Sequence, residues 1–473
     1  MAEQDRIDVL VVGGGLAGLT AALELQAKGR RVLVVDEATR LGGKAGSTHT
    51  RLGEFPTGPT SFNGRVPSFW RLFSLLGLPE EEVVRLHPAS SARFIVRGGK
   101  LRALEPNPFS VMFTGALTFG EKWALVREFL FPRQGTAPDH DESMHELLVR
   151  RFGASAVEHF FSAVFTGIFA GDLRKLSAQA CMPALVTAEK EYGSVLKGAL
   201  KGMGQKDPGS RPGLYTFRQG FGVLGQYAEQ KLSHRLGARV TSLALRDGGV
   251  TATLEGGGHV EAGAVVLATE ADVAARLLAA VRPEAAAVLA GFRYAPIALV
   301  QWAERAPGEA KLPAGFGFLA APAEQLFSLG SLFVGDLRGE PPRRFSTFVG
   351  GALQAERAAL PDAELIEGVG ADLTRLTGGA LGEVVNIVRW PRAVFQPDVG
   401  HLGSLAALEA AMAGLPIALA GSYLGGAAMK DAIAGGFAAA ARLETLGAPA
   451  AAPVAVAALA QPAASLANGR SAS

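Results

Sequence analysis

Ile7-Asp8-Val9-Leu10-Val11-Val12-Gly13-Gly14-Gly15-Leu16-Ala17-Gly18, followed by Arg31-Val32-Leu33-Val34-Val35-Asp36, decides the fold. The first six residues are an apolar run, broken only by Asp8, with the length of a buried strand. Glycines at the spacing G-x-G-x-x-G come directly after it. Gly13 permits a tight turn, Gly15 lets backbone approach a ligand, and Gly18 lets the following helix pack closely on the strand. From Leu19 to Lys28 apolar residues recur at helical spacing, and Gly29 supplies the stop. The second apolar run ends on Asp36, 18 residues after Gly18, where a carboxylate is placed for ribose hydroxyls. The helix start, with Leu16 and Ala17 in its first turn, gathers free N–H groups and the positive end of the helix dipole. Both favour a pyrophosphate.

The 473 residues make two to four compact units at about 150 residues per domain. A content of 48% apolar and 19% charged residues excludes a disordered chain. Forty-six Lys and Arg against 44 Asp and Glu leave +2, which is no electrostatic footprint for nucleic acid. Cys181 is the only cysteine, which excludes an internal disulfide framework and any multi-cysteine metal site, and points to a reducing, cytoplasmic compartment. The 60 glycines far exceed the usual share of about 7% and fit many tight turns and close backbone approach to a ligand. Met1 to Arg6 lead straight into the first strand pattern, with no secretory signal. Residues 445–469 carry no charge, but they are mostly Ala and are interrupted by Pro449, Pro453 and Pro462. They read as a low-complexity tail rather than a membrane anchor.

Beyond residue 85 the pattern changes. Residues 85–205 alternate aromatic-rich apolar patches with basic turns and predict helices over 121–131, 144–152 and 156–165. Strand signals return over 239–245, 250–254 and 264–269, separated by Asp247-Gly248-Gly249 and Gly256-Gly257-Gly258. Residues 290–355 read as further strands. A last strand at 417–421 runs into a glycine-rich turn and an Ala-rich helix ending near Leu446. Strand–glycine–helix chemistry thus stands at both ends of the chain, so the dinucleotide site is assembled from both and the parts between are insertions.

Arg40-Leu41-Gly42-Gly43-Lys44 resembles the R-x-G-G segment of the flavoprotein amine oxidase superfamily, whose backbone also contacts the FAD pyrophosphate. Three further stretches resemble that superfamily: the strand holding Val240, the strand ending Leu267-Ala268-Thr269, and residues 421–431. The resemblance implies FAD as cofactor. It implies contacts from Gly13, Gly15, Leu16, Ala17, Gly18, Asp36 and Glu37 in the first unit, and from Arg40, Gly42, Gly43 and Lys44 in the next loop. Gly58, Pro59, Thr60, Val240, Ala268, Thr269 and Trp390 join them from the middle of the chain. Gly421, Ser422, Met429, Asp431 and Ile433 join them from its end. The implied fold is α/β. A discontinuous Rossmann-like FAD-binding domain comprises 1–84 (with the first substrate-domain segment), 206–275 and 388–446. An α+β substrate domain (276–387) and a mostly helical domain (85–205) are inserted, and 447–473 is an Ala/Pro-rich disordered tail.

Thr166-Gly167-Ile168-Phe169-Ala170-Gly171-Asp172, with Leu176-Ser177, resembles more narrowly a segment of the protoporphyrinogen oxidase family and its bacterial coproporphyrinogen oxidases. Met182-Pro183-Ala184-Leu185, Glu189, Gly193-Ser194, Tyr294-Ala295-Pro296, Gly315-Phe316-Gly317-Phe318-Leu319, Arg389-Trp390, Gln396 and Gly400-His401 continue the match. The resemblance implies oxidation of a porphyrinogen to a porphyrin by hydride loss to FAD, with oxygen or another acceptor reoxidising the flavin. The cofactor carries that chemistry, so no catalytic side chain is assigned. Arg93 matches the position of an arginine on a substrate propionate, and Gly167, Phe169 and Phe318 would line the pocket.

The eight histidines show no metal spacing and read as surface or structural residues, with His401, in a matching segment, the stronger candidate for a role beyond that; no metal is assigned. Asp172 reads as a turn residue or a base, and Cys181 as a small core residue. The sequence departs from the family at Phe55-Pro56-Thr57-Gly58-Pro59, which lacks the acidic residue before Gly-Pro. It departs also at 423–431, which is one residue longer, and at 328–336, where a Phe-Pro is missing. Lys44-Ala45-Gly46-Ser47 and Gly58-Pro59-Thr60 resemble carotenoid desaturases more, which leaves a desaturase of another apolar metabolite as the alternative. A flavin-fold protein without turnover is the alternative of another class. Residues 106–131, with Lys122, Arg127 and Arg133 nearby, suit either a helix pair dipping into the inner face of the cell membrane or an ordinary buried pair. A homodimer is a further expected partner state.

Overall fold

Valine-rich strands from the start, middle and end of the chain meet in one sheet. The computed structural model describes residues 7–105, 111–132, 140–203 and 210–446. Ile7–Val12 lies between Val32–Val35 and His259–Leu267, parallel to both, and Ser233–Arg235 extends the sheet beyond Val32–Val35. The first half of His259–Leu267 pairs antiparallel with Gly249–Leu254, which pairs with Val240–Arg246; its second half pairs in parallel with Ile417–Leu419. Continuous apolar runs suit this position because both faces are covered. Helices Leu16–Ala27 and Met429–Thr445 pack on one face. Helices Ala271–Leu278 and His401–Ala411 cover the other. The discontinuous Rossmann-like arrangement is therefore present, built from both ends of the chain.

The second sheet runs in the order Glu383–Gln396, Arg293–Ala303, Arg344–Gly350, Gly330–Leu332, Gly317–Ala320, Arg93–Arg97, Lys100–Leu104. Helix Asp362–Thr377 covers one face. Two of these strands correct the expected division, since Arg93–Arg97 and Lys100–Leu104 fall inside the stretch read as helical. The physical reason is local: the buried apolar run Phe94-Ile95-Val96, β-branched and aromatic, leads through Arg97 to Gly98-Gly99, whose φ of 60° and 68° form a tight hairpin turn. Residues 388–396 likewise belong to this sheet rather than to the first.

The helical part comprises Phe119–Leu130, Met144–Phe152, the run 154–169, Pro183–Tyr192 and Val195–Met203. A π-turn at Val157–Phe161 interrupts the run 154–169. Residues 106–110, Arg133 and the Ala/Pro-rich tail lie outside the described residues. Thr118 with Glu121 and Ser143 with Glu146 form capping boxes that start two of the helices. The buried Glu189 carboxylate holds the part together: Arg150 and Arg151 both donate to it, and Arg150 also reaches Glu142 at 2.6 Å.

Burial opposes the charged form of Glu189, but hydrogen bonds and charge from Arg150 and Arg151 outweigh it and hold the carboxyl below its ordinary value. A depressed carboxylate contributes stability above the unfolded pKa near 4.5 and loses it as pH falls through the lower folded value. Glu189→Gln, which removes the negative charge that Arg150 and Arg151 share, should lower stability at pH 7 by about 3 kcal/mol. The gap to the parent should close on acidification below about pH 4.5, as read by urea unfolding across pH.

Candidate active site

The crevice above the first strand is shaped by missing side chains. A Cβ on Gly13 (φ +103°) would stand 2.6 Å from the Ala268 carbonyl oxygen, and one on Gly18 would stand 1.9 Å from the Gly13 oxygen. Gly15 differs: a Cβ there would meet nothing within 4 Å. Helix Leu16–Ala27 starts from this glycine with no side-chain cap, so the amides of Leu16, Ala17 and Gly18 point into that space. Asp36, at the end of the second strand, accepts from the Gly14 amide and from the Ala38 amide at 2.7 Å, which fixes its carboxylate at the rim. The Glu37 side chain turns away to Arg239, at 2.8 Å, and both are exposed. Backbone bonds from Gly237 to Ala38 and from Ala238 to Asp36 bring Val240 beside that rim.

The Arg40–Lys44 loop lies against the glycine turn. Gly42 N donates to Gly14 O at 2.8 Å, and Arg40 ties the loop by donating to Gly43 O at 2.9 Å. Gly58 passes so close to Lys44 that a Cβ would be 2.3 Å from the Lys44 oxygen. Thr60, after Pro59, accepts from the Thr216 hydroxyl at 2.9 Å. From the chain's end, Gly421 precedes a short turn that begins at Ser422, and Asp431 accepts from the Ala428 amide at 3.1 Å to start the last helix at Met429. Ile433 corrects its assigned role, because its side chain is fully buried in the core under the first helix and offers no contact surface.

The second sheet grips this crevice from one face. Trp390 Nε1 donates to Thr57 O at 2.6 Å, and Gln301 Nε2 donates to Pro56 O at 2.7 Å. Asn386 donates to Gln301 Oε1 at 3.0 Å. Register carries this face along the sheet through the row Asn386, Gln301, Ser346, Leu332, Gly317, Arg93, and a neighbouring row holds Val388, Leu299, Phe348, Gly330, Leu319 and Ile95. Arg93 is half-buried, lies 5.1 Å from the Phe316 ring centre and donates to the Ser91 carbonyl at 3.3 Å. Burial lowers its pKa, and among the described residues no carboxylate pairs with it. Arg97, on the same face, is already bound to Glu121 at 3.1 Å.

Two residues expected in the pocket point elsewhere. Phe318 sits one residue out of phase with Arg93's row, so it faces the helix-covered side with Phe333; Leu319 takes the site face. Phe169 is buried in the helical core, and its carbonyl accepts from Gln396 at 2.8 Å. The helical phase leaves Gly167 exposed and Ile168 51% exposed instead. Gln301 was not found from the sequence, although an amide inside the apolar run 295–303 is a visible signal of a buried partner.

Asp172 takes the turn role, accepting from the Arg174 amide at 3.0 Å. His401 is buried against Phe292 and Phe395, and burial lowers its pKa. Burial, with Asp398 and Asp141 nearby, pushes the Cys181 thiol up to about 12, which leaves no thiolate for nucleophilic work.

Comparisons with known proteins agree with this geometry. The family model described as "Flavin containing amine oxidoreductase" matches residues 16–443. A protoporphyrinogen oxidase from Bos taurus is 30% identical over 92% of this chain and 98% of its own. A chloroplastic one from Oryza sativa subsp. japonica is 28% identical over 91% of this chain and 87% of its own. A crystal structure from Exiguobacterium sp. 255-15, provisionally named a protoporphyrinogen oxidase, superposes with a TM-score of 0.78 at 22% identity, covering 94% of this chain and 99% of that one. The chain belongs to the flavin-containing amine oxidoreductase family and, within it, to the protoporphyrinogen oxidase family.

It is thus an FAD-dependent oxidoreductase, and the crevice fits that cofactor: open space over Gly15, an uncapped helix start for the pyrophosphate and a fixed Asp36 carboxylate. Gly15→Val tests the fit. Its Cβ would meet no protein atom within 4 Å, so the apo-protein's melting temperature should stay close to the parent's. It should lower flavin content in the purified protein at least about tenfold, read from the flavin absorbance band.

Proposed function

We propose that this enzyme oxidises a porphyrinogen, protoporphyrinogen IX or coproporphyrinogen III, to the porphyrin, with oxygen as acceptor. The observation that carries the reading is Arg93, a half-buried guanidinium without a carboxylate partner among the described residues, set on the sheet face that also grips the crevice. FAD, when bound, supplies the hydride acceptor. The protein's part is positioning. Arg93 holds a substrate carboxylate by its planar fork, while Leu319, Leu332, Phe348 and Val388 supply an apolar wall that keeps water from the ring. Gln301 and Trp390 fix the Pro56-Thr57 carbonyls and hence the Gly58–Thr60 edge of the crevice. Gly13 to Gly18, Asp36, Arg40 to Gly43, Ala268, Thr269 and the 421–431 turn form the cofactor's bed in this reading, and the Lys44 ammonium, assigned to the cofactor from the sequence, pairs instead with Glu270.

The same proposal divides the chain into a discontinuous FAD-binding part, a substrate part around the second sheet and a helical part. Phe113 and Phe119 (each 86% exposed), with Trp123 and Phe131 and the basic Lys122 and Arg127, form an exposed aromatic row on the helical part. That surface suits contact with a membrane interface, which would bring an apolar substrate to the enzyme. Among the described residues no helix is long and apolar enough to cross a membrane.

Anaerobic addition of protoporphyrinogen or coproporphyrinogen should bleach the flavin band, and porphyrin fluorescence should appear on admitting oxygen. A flavin that stays oxidised with both, but bleaches with a carotenoid precursor, would overturn the reading. Arg93→Ala should raise KM about ten- to 150-fold, the loss of a charge-assisted bond worth about 1.5–3 kcal/mol. Flavin content and kcat should change little, and Arg93→Lys should recover part of the loss.

A further inference from the structure

Glu270 occupies the N-cap position of helix Ala271–Leu278, yet its side chain makes no capping bond. The Tyr294 hydroxyl accepts from the Ala271 amide instead, at 3.0 Å. The Glu270 carboxylate reaches across to Lys44, whose Nζ lies 3.2 Å from Oε1 and 5.7 Å from the Tyr294 ring centre. The two partners come from opposite walls of the crevice. Lys44 follows Gly42 and Gly43, which lie against Gly14 and Gly15, and Glu270 follows Ala268 and Thr269, which lie against Gly13. No other ion pair among the described residues joins these two walls.

We propose that the Lys44–Glu270 ion pair is a clasp over the dinucleotide crevice that sets how fast FAD leaves. Departure of a molecule lying between the walls requires them to part, and parting breaks the pair. Both side chains are about one-third exposed, at 34% and 33%, so salt screens the clasp and its effect is modest. The Tyr294 hydroxyl takes over the capping duty, which frees Glu270 for the clasp, and the Tyr294 ring supports the Lys44 ammonium.

The test is the rate of FAD release from holoenzyme, followed by the rise of free-flavin fluorescence after dilution, with apo-protein melting as the check on folding. Lys44→Met and Glu270→Gln should each accelerate release about fivefold. The double variant should be no faster than either single one, since both remove the same pair. Raising ionic strength should accelerate release from the parent and leave the double variant unchanged. Exchanging the charges, Lys44→Glu with Glu270→Lys, should restore slow release, which a folding defect would not produce. The proposal is overturned if Lys44→Met accelerates release while Glu270→Gln leaves it unchanged or slows it, because Lys44 then holds the cofactor by itself. It is overturned equally if neither substitution alters the rate, or if the effects of the two add.

Discussion

The close passage of Gly13 beneath the Ala268 carbonyl is the contact on which the rest of the molecule depends. The Gly13 amide donates to Val35 at 2.9 Å and the Ala268 amide to Val12 at 2.7 Å, so the turn is pinned between the two strands that flank the first one. With no Cβ at Gly13 or Gly18, helix and strand approach until their backbones nearly touch, and the last helix closes over them at Gly436, where a Cβ would be 2.4 Å from the Ala17 oxygen. The loop after Arg40 can then lie on the turn, Gly58 can pass Lys44, and the second sheet can reach the loop with Gln301 and Trp390. A chain of close contacts thus locates the second sheet relative to the cofactor crevice.

Charge is handled consistently away from that face. Buried carboxylates satisfy either arginines or bare amides: Glu189 takes Arg150 and Arg151, Glu128 caps the Val195–Met203 helix through the Val195 amide at 2.6 Å, and Asp372 receives the Ser328 amide at 2.7 Å. Arg338 and Arg343, both shielded from solvent, are held by Glu54 and Asp336. An unpaired ion of either sign is expensive to bury, which is why these groups come in sets. Arg93 has no carboxylate partner among the described residues, as is true also of Arg40, Arg357 and Arg442, and its place on the face that grips the crevice is what gives it a functional reading.

Much of this was legible in the residues. The glycine spacing, the apolar runs on either side and Asp36 named the nucleotide fold, because steric demands on a turn are local and appear as residue identity. The segment from Thr166 to Asp172 and the Arg40–Lys44 loop named the family for the same reason: both are short backbone structures with fixed residue requirements. Side-chain direction was less legible. Phe318 and Leu319 are both apolar neighbours in one strand, and only the register against Arg93 and Ser331 tells which of them faces the site. Phe169 and Ile168 pose the same choice on a helix, settled by how 154–169 packs on its neighbours.

The sequence by itself determined the dinucleotide fold and its cofactor class, since each rests on residues whose chemistry is local. The tertiary structure alone decided that residues 93–104 are strands of the second sheet, that Gln301 and Trp390 hold the Pro56-Thr57 edge, and that Lys44 meets Glu270 across the crevice. Those contacts join segments far apart in the chain, and nothing in either segment specifies its partner until the sheets have paired and the backbones have closed.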